Sequence, residues 1–405
     1  MTDERFEHKV VISGIGQSAV GRRLGIDPLA LTVDAALEAM RDAGLDRHDI
    51  NGISTYPGAP EPTPGFSGGV GVTEVQDALR LELDWYAGGI EATGQLGALV
   101  VAGLAVAAGL ARHVLVFRTV NESSAQGDGG RAAVAQGRAG DDPTRATRVG
   151  EIMQWMSPFG VGGAALPWAA LSASKHFDTY GTTREQLAWI ALSARAHAAR
   201  NPKAIYRDPM TLEDYLTARM ISTPLGLYDC DIPADGSTAV IVSHIDTMSD
   251  LRRPPVRIEA VGTALRARPR REQRHDLTTM GLWDSAQMLW RRTDLRPGDV
   301  DVAALYDGFS IITLNWIEAL GFCGPGEGGP FIEGGARLAL DGELPMNTAG
   351  GQLSAGRLHG FGHLHEACVQ LRGDGGDRQV PNSPEVALVA TGGPNGGCAL
   401  LTNWR

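Results

Sequence analysis

Four polar side chains stand where their neighbours give no ordinary reason for them. Glu91 opens "GGIEATGQLGALVVAGLAVAAG" (Gly88–Gly109), after which no ionisable group follows until Arg112. Tyr306 leads "YDGF", and the glycine-rich "NTAGGQLSAGRLHG" (Asn347–Gly360) holds Arg357 as its one charge, with His359 two residues on. A carboxylate, a phenol, a guanidinium and an imidazole can move protons and stabilise a developing anion. A phenol near pKa 10 needs a neighbouring cation to act as a base, and Arg357 is the candidate. Each residue also has a plain structural reading. Glu91 would complement the dipole of the helix it opens, and its protonation stays open because burial and the dipole push in opposite directions. Tyr306 would be a strand-end aromatic, and Asp307 reads as a residue holding backbone at a turn. His363 and His365 follow His359 at i+4 and i+6, but no carboxylate or cysteine completes a ligand set, so no metal is expected.

These residues need elements to hold them. "KVVISGIG" (Lys9–Gly16) reads as a buried strand running into a glycine turn. "LTVDAALEAMRDAGL" has helical spacing, with Val33, Leu37, Met40 and Leu45 on or near one face, and "DINGISTY" follows as a strand. The apolar run Leu96–Ala111 is too short for a membrane span and reads as a buried helix. Glu122–Gly150 is polar and glycine-rich, the composition of a lid, and helix is expected over about Trp168–Ala199 and in "TLEDYLTARM". "GSTAVIVSH" and "PPVRIEAVGTA" return to strand.

An internal repeat organises the whole. Asp34, Leu45, Asp49, Ile50 and Tyr56 recur as Asp284, Leu295, Asp299, Val300 and Tyr306, each 250 positions on. Two α/β units of one topology, fused and packed on each other, are expected, with the N-termini of two small-residue helices walling one shared site.

Composition bounds the partners. The chain of 405 residues carries a net charge of −11, which argues against nucleic acid. The N-terminal "MTDERFEHKV" has no apolar signal region, so a cytoplasmic location is expected. Cys230, Cys323, Cys368 and Cys398 are scattered singly and read as reduced.

"GGIEATG", "YDGF", "NTAGGQLSAGRLHG" and "ATGGPNGG" (Ala390–Gly397), in that order on a duplicated α/β plan, resemble the thiolase superfamily. Within it they resemble the lipid-transfer-protein or sterol-carrier-protein-X-like branch, and most of all the actinobacterial retro-aldolases of steroid side chains. The resemblance implies an α/β thiolase fold: a duplicated αβαβα five-layer architecture with mixed sheets and a loop domain. Residues 1–121 and 226–250 would form the N-terminal half, 122–225 the lid and helical insertion, and 251–405 the C-terminal half. Thiolases carry a nucleophilic Cys where this chain has Glu91, Asn or His where it has Tyr306, a His at Arg357 and a second Cys at Ala390. Acyl transfer through a thiolate therefore loses its carrier. Retro-aldol cleavage of a β-hydroxyacyl-CoA needs only proton transfer and an oxyanion site, with Tyr306 as acid/base and Arg357, Glu91 and His359 lining the pocket. CoA would enter as part of the substrate, with no covalently bound cofactor. Arg266, Arg268, Arg270 and Arg271 in "RARPRREQR" are candidates for its phosphates, although a solvated loop reads equally well, and Gly350 and Gly351 would lie against it. The resemblance further implies a homodimer and a small zinc-ribbon/OB-fold partner, giving a heterotetramer. An acyltransferase with another nucleophile and a non-catalytic acyl-CoA-binding subunit are the alternatives.

Overall fold

Strand β1 (Val10–Gln17) is buried along nearly its whole length and lies at the centre of the molecule. The computed structural model describes residues 5–56, 69–89, 94–127, 165–266, 276–393 and 395–404. After β1 come α1 (Pro28–Ala43), β2 (Gly52–Thr55), α2 (Val72–Leu79), β3 (Trp85–Gly88), α3 (Gly97–Ala107), β4 (His113–Asn121) and the one-turn α4 (Glu122–Ala125). Helices α5 (Ala165–Tyr180), α6 (Arg184–Ala198) and α7 (Leu212–Thr217) and the ribbon of β5 (Met220–Ser222) and β6 (Leu225–Gly226) lead to β7 (Asp235–His244). The second series is β8 (Val256–Gly262), α8 (Leu282–Trp290), β9 (Val302–Leu305), α9 (Ser310–Ala319), α10 (Gly328–Ile332), α11 (Phe361–Arg372), β10 (Val386–Thr391) and β11 (Gly397–Asn403).

The strand order β3-β2-β4-β7-β1-β8-β11-β10-β9 states the duplication outright. Outward from β1, the partners are β7 (antiparallel), β4 (antiparallel), β2 (parallel) and β3 (parallel). Outward from β8 they are β11 (antiparallel), β10 (antiparallel) and β9 (parallel), and Ala303 then bridges Met346 in parallel where β3 would stand. The repeat extends to single hydrogen bonds. Asp49 accepts the N–H of Asp46, and Asp299 accepts that of Arg296. Asn51 accepts the N–H groups that open β4, and Asp301 accepts those that open β10.

Three apolar cores separate five layers. Helices α1 and α2 pack on one face of the first half-sheet through Met40, Val75, Ile53 and Phe117. Helices α3 and α11 fill the centre through Leu99, Val106, Leu364 and Leu371. Helices α6, α8 and α9 cover the far face of the second half-sheet through Ile190, Leu289, Trp316 and Leu388. This is the duplicated α/β fold with mixed strand directions that the sequence motifs implied.

Two local expectations are corrected. The buried face of α1 is Leu31, Ala35, Ala36, Ala39, Met40 and Ala43, while Leu37 is 43% exposed. The cause is close packing: a Cβ on Gly14 would lie 2.2 Å from the Ala39 carbonyl oxygen, and one on Gly16 2.2 Å from that of Ala35. Only glycines on the strand and alanines on the helix allow that approach. The helical segments expected over about Trp168–Ala199 are α5 and α6, separated at Gly181 (φ +76°) and restarted by a Thr183 capping box. Helix α3 is not buried all round, because Val101 and Leu104 are exposed beside the edge strand β3, where Tyr86 is 67% exposed. Among the described residues no helix is long and apolar enough to cross a membrane.

Candidate active site

The glycine turns named by the sequence converge. A Cβ on Gly94, ahead of α3, would meet the Thr391 carbonyl oxygen at 2.6 Å, and one on Gly360, at the N-terminus of α11, would meet Gln95 Cβ at 3.0 Å. The starts of α3 and α11 thus come together at the ends of β10 and β9, outside the carboxyl ends of parallel strands where α/β sheets bind ligands.

Tyr306 hangs at this junction. Its N–H donates to the Ala390 carbonyl (2.8 Å) and its carbonyl accepts from the Thr313 hydroxyl (3.2 Å). The ring lies over Gly308, where a Cβ would sit 2.6 Å from Cε1 and 3.2 Å from the hydroxyl oxygen. The His363 ring stands beside it, with centroids 6.3 Å apart and 30° between planes. Asp307 is fully buried and accepts from the backbone N–H of Gln352 (2.9 Å) and Leu353 (3.3 Å), holding the π-helical turn Gly351–Ala355. Its Oδ1 is also 3.0 Å from His363 Nε2, an ion-pair contact without hydrogen-bond alignment. A Cβ on Gly351 would fall 1.9 Å from the Asp307 carboxylate, so that glycine exists to let the carboxylate reach the backbone. Gly350, at φ +101°, packs against Ala198 in the same way.

Arg357 is buried between two carboxylates. Its Nη1 lies 2.9 Å from Glu122 and its Nε 3.1 Å from Asp231. The backbone N–H of Asp231 donates to the Gly308 carbonyl (3.2 Å), which brings the arginine into the neighbourhood of the Tyr306 ring. Its charge is matched by this pair of acids.

His359 has a left-handed backbone (φ +51°) held by Tyr56, whose hydroxyl donates to the His359 carbonyl at 2.6 Å. Arg118 Nη2 is 3.2 Å from His359 Nδ1, and its guanidinium lies 4.9 Å from the Tyr56 ring centroid.

Glu91 and Arg268, Arg270 and Arg271 fall outside the described residues, as does 128–150 of the expected lid. Arg266 is exposed, and its backbone N–H donates to Asp284 (2.7 Å). The structure therefore brings Tyr306, Arg357 and His359 to one region on different supports. Glu122, Asp231, Arg118 and the Asp307–His363 contact were missed by the sequence reading. No periodicity marks them, because they meet their partners across 235 and 241 positions in the Glu122–Arg357 and Arg118–His359 contacts.

A chamber of about 170 Å³ opens beside the junction, lined by Asn347, Gln352, Leu358, His363, His365 and Glu366. Tyr306 is not on its wall, so it is a side chamber bounded by His363 rather than the space above the phenol. Burial, with the charges of Lys203, Arg378 and Arg372, pushes His365 down to about 3. Burial also pushes the Cys323 and Cys368 thiols up to about 12 and raises Cys398 further. Cys230 directs its sulfur to the Gly226 carbonyl at 3.6 Å. A poised thiolate is missing at the first three positions.

Comparison with known proteins agrees with this architecture. Residues 265–399 match the family described as "Thiolase C-terminal domain-like". The chain is 33% identical over 397 residues to the steroid side-chain-cleaving aldolase of Thermomonospora curvata, covering 96% of this chain and 97% of that one. It is 33% identical over 400 residues to the 17-hydroxy-3-oxo-4-pregnene-20-carboxyl-CoA lyase of Mycobacterium tuberculosis, covering 97% and 99%. A solved structure titled Ltp2-ChsH2(DUF35) aldolase superposes with a TM-score of 0.83 at 30% identity, covering 98% of each chain. The chain belongs to the thiolase superfamily, in the sterol-carrier and lipid-transfer-protein-like branch that includes steroid side-chain-cleaving aldolases.

Proposed function

We propose that this protein is an aldolase-type lyase that cleaves the Cα–Cβ bond of β-hydroxyacyl-CoA thioesters with bulky, steroid-like acyl groups. The observation that carries the reading is Tyr306, buried at the end of β9 beside the Asp307–His363 contact, in a scaffold with three thiols held protonated. Full-length similarity to two enzymes named for aldolase and CoA-lyase activity supports it.

In this reading Tyr306 exchanges the proton of the substrate's β-hydroxyl. The Cα–Cβ bond breaks, its electrons pass into the thioester as an enolate, and a proton returns to Cα. Acetyl-CoA or propionyl-CoA leaves with a ketone or aldehyde. The helix starts at α3 and α11, with His359, line the thioester oxygen, where each donor lowers the barrier by about 3 kcal/mol. Arg357 orders the pocket by fixing Glu122 and Asp231, and Glu91 keeps the role that the resemblance implies for it, as a base or a pocket group. The exposed edge of β3, with Tyr86, and the bare face of α3 suit a second copy of this chain, the homodimer expected from the resemblance. The small zinc-ribbon/OB-fold partner that the resemblance implies would contribute to substrate binding, and the name of the solved Ltp2-ChsH2(DUF35) aldolase, which includes a second protein, supports a partner.

The test is to incubate the chain, alone and with its co-purified small partner, with β-hydroxyacyl-CoAs including a steroid 20-carboxyl-CoA. Mass analysis should find a shortened CoA ester and a carbonyl product, with no acyl adduct on the protein. An acyl adduct during turnover would instead establish an acyltransferase. Tight binding without turnover, partner present, would establish a binding subunit.

A further inference from the structure

We infer that Arg118 is a positioning residue that fixes the tautomer of His359, so that His359 serves as a hydrogen-bond donor and not as a base. The inference rests on the lyase reading for what His359 does, but the tautomer itself follows from the contacts alone.

Arg118 lies on β4 and is 1% exposed. Its guanidinium carries only donors, and Nη2 stands 3.2 Å from His359 Nδ1. A proton on Nδ1 would point at a second proton, so Nδ1 must accept. The Tyr56 hydroxyl proton goes to the His359 carbonyl oxygen at 2.6 Å, and its oxygen is 3.3 Å from Nδ1. Tyr56 alone would pull the other way, as an acceptor facing Nδ1, so the choice falls to the charged and shorter Arg118 contact. With Nδ1 accepting, the neutral ring carries its proton on Nε2. Two further contacts hold the ring in place: the Tyr56 bond fixes the His359 backbone at φ +51°, and the Tyr56 ring sits 5.7 Å away at 38°. The cost of burying a guanidinium is offset by its place 4.9 Å over the Tyr56 ring. A core built around that cation serves to aim an N–H, the group an oxyanion site needs and a general base cannot offer.

The experiment is nitrogen NMR of the full-length, ligand-free protein labelled at histidine, with His359→Gln used to assign the resonance. At neutral pH the wild-type His359 should show a bare Nδ1 and a protonated Nε2 as one species. In Arg118→Met, where the Tyr56 oxygen can accept from Nδ1, the opposite tautomer should appear, and kcat should fall by about 10²-fold, the scale of one misdirected oxyanion donor. Arg118→Lys keeps a donor and should keep the wild-type tautomer. A proton on Nδ1 in the wild type overturns the inference even if Arg118→Met does not fold. An unchanged tautomer in a folded Arg118→Met also overturns it. These spectra need no turnover, so a chain without lyase activity but with Nε2 protonated would remove the function and leave the positioning role standing.

Discussion

Tyr56 and Tyr306 occupy the same position of two copies of one unit, and the fold uses them in opposite ways. Each follows the last residue of a four-residue strand, β2 or β9, 250 positions apart. The Tyr56 ring packs in the central core, 5.9 Å from Phe361, with its hydroxyl committed to the His359 backbone and its face covered by Arg118. The Tyr306 ring packs with the outer core of the second half, over Gly308 and beside His363. The residues that follow make the difference. Asp307 bonds to Gln352 and Leu353, and Gly308 leaves room for the phenol, whereas Tyr56 is followed by Pro57 and Gly58. Duplication supplied two equivalent tyrosines, and the residues that follow them direct the two rings into different cores.

The two hydroxyls should differ most in what their loss costs. Tyr306→Phe should lower kcat for thioester cleavage by about 10³-fold, the scale of a lost general acid/base, with the melting temperature little changed. Tyr56→Phe should leave kcat within about tenfold of wild type. Equal losses in the two variants would mean that the repeat positions are not functionally distinct.

Gly308→Ala tests position rather than chemistry. The added Cβ would stand 2.6 Å from Tyr306 Cε1, so the ring must swing while its hydroxyl is retained. A displacement of this size should cost about 10²-fold in kcat, read by steady-state kinetics beside a circular-dichroism check of folding. A fully active Gly308→Ala would show that the phenol's place over Gly308 is immaterial.

The structural tyrosine predicts a smaller, different effect. Tyr56→Phe removes one buried hydrogen bond of 2.6 Å, worth about 1 kcal/mol, and releases a left-handed histidine. Urea unfolding should show the stability loss with the slope unchanged.

How far the sequence alone reaches follows from the same residues. The equivalence of Tyr56 and Tyr306 was legible because helix, five-residue connection and strand recur without a gap, and the structure repeats even the Asp49 and Asp299 bonds. Arg357 stood out as a lone charge among glycines, yet nothing in its own segment names Glu122 and Asp231, which arrive from the end of β4 and the loop before β7. Asp307 was legible as a holder of backbone, while its contact with His363 depends on the first turn of a helix 56 positions away. The exposed face of α3 was illegible because Ala, Val and Leu on every side describe both a buried helix and one beside an uncovered edge. Short-range pattern writes elements; convergence of distant loops is written only in three dimensions.

The last effect is read as a slope with pH, in the chamber beside His363. His365 lies on the chamber wall behind His363, where burial and then Lys203, Arg378 and Arg372 hold it down to about 3 from an ordinary 6.5. In the unfolded chain His365 takes up a proton as pH falls through 6.5, and in the fold it does not until near 3. The folded state therefore binds fewer protons across that window, so its stability is full above 6.5 and declines as pH falls toward 3. Melting temperatures measured from pH 7 down to pH 4 should fall less steeply in His365→Gln than in wild type, with the two curves closest at neutral pH. Because the Tyr56 cluster is built around a buried arginine rather than this chamber, Tyr56→Phe should shift the wild-type curve down without changing its slope. A Tyr56→Phe curve that flattens like that of His365→Gln would mean that the two halves share one titrating network, and that the division between the structural and the reactive tyrosine has been drawn in the wrong place.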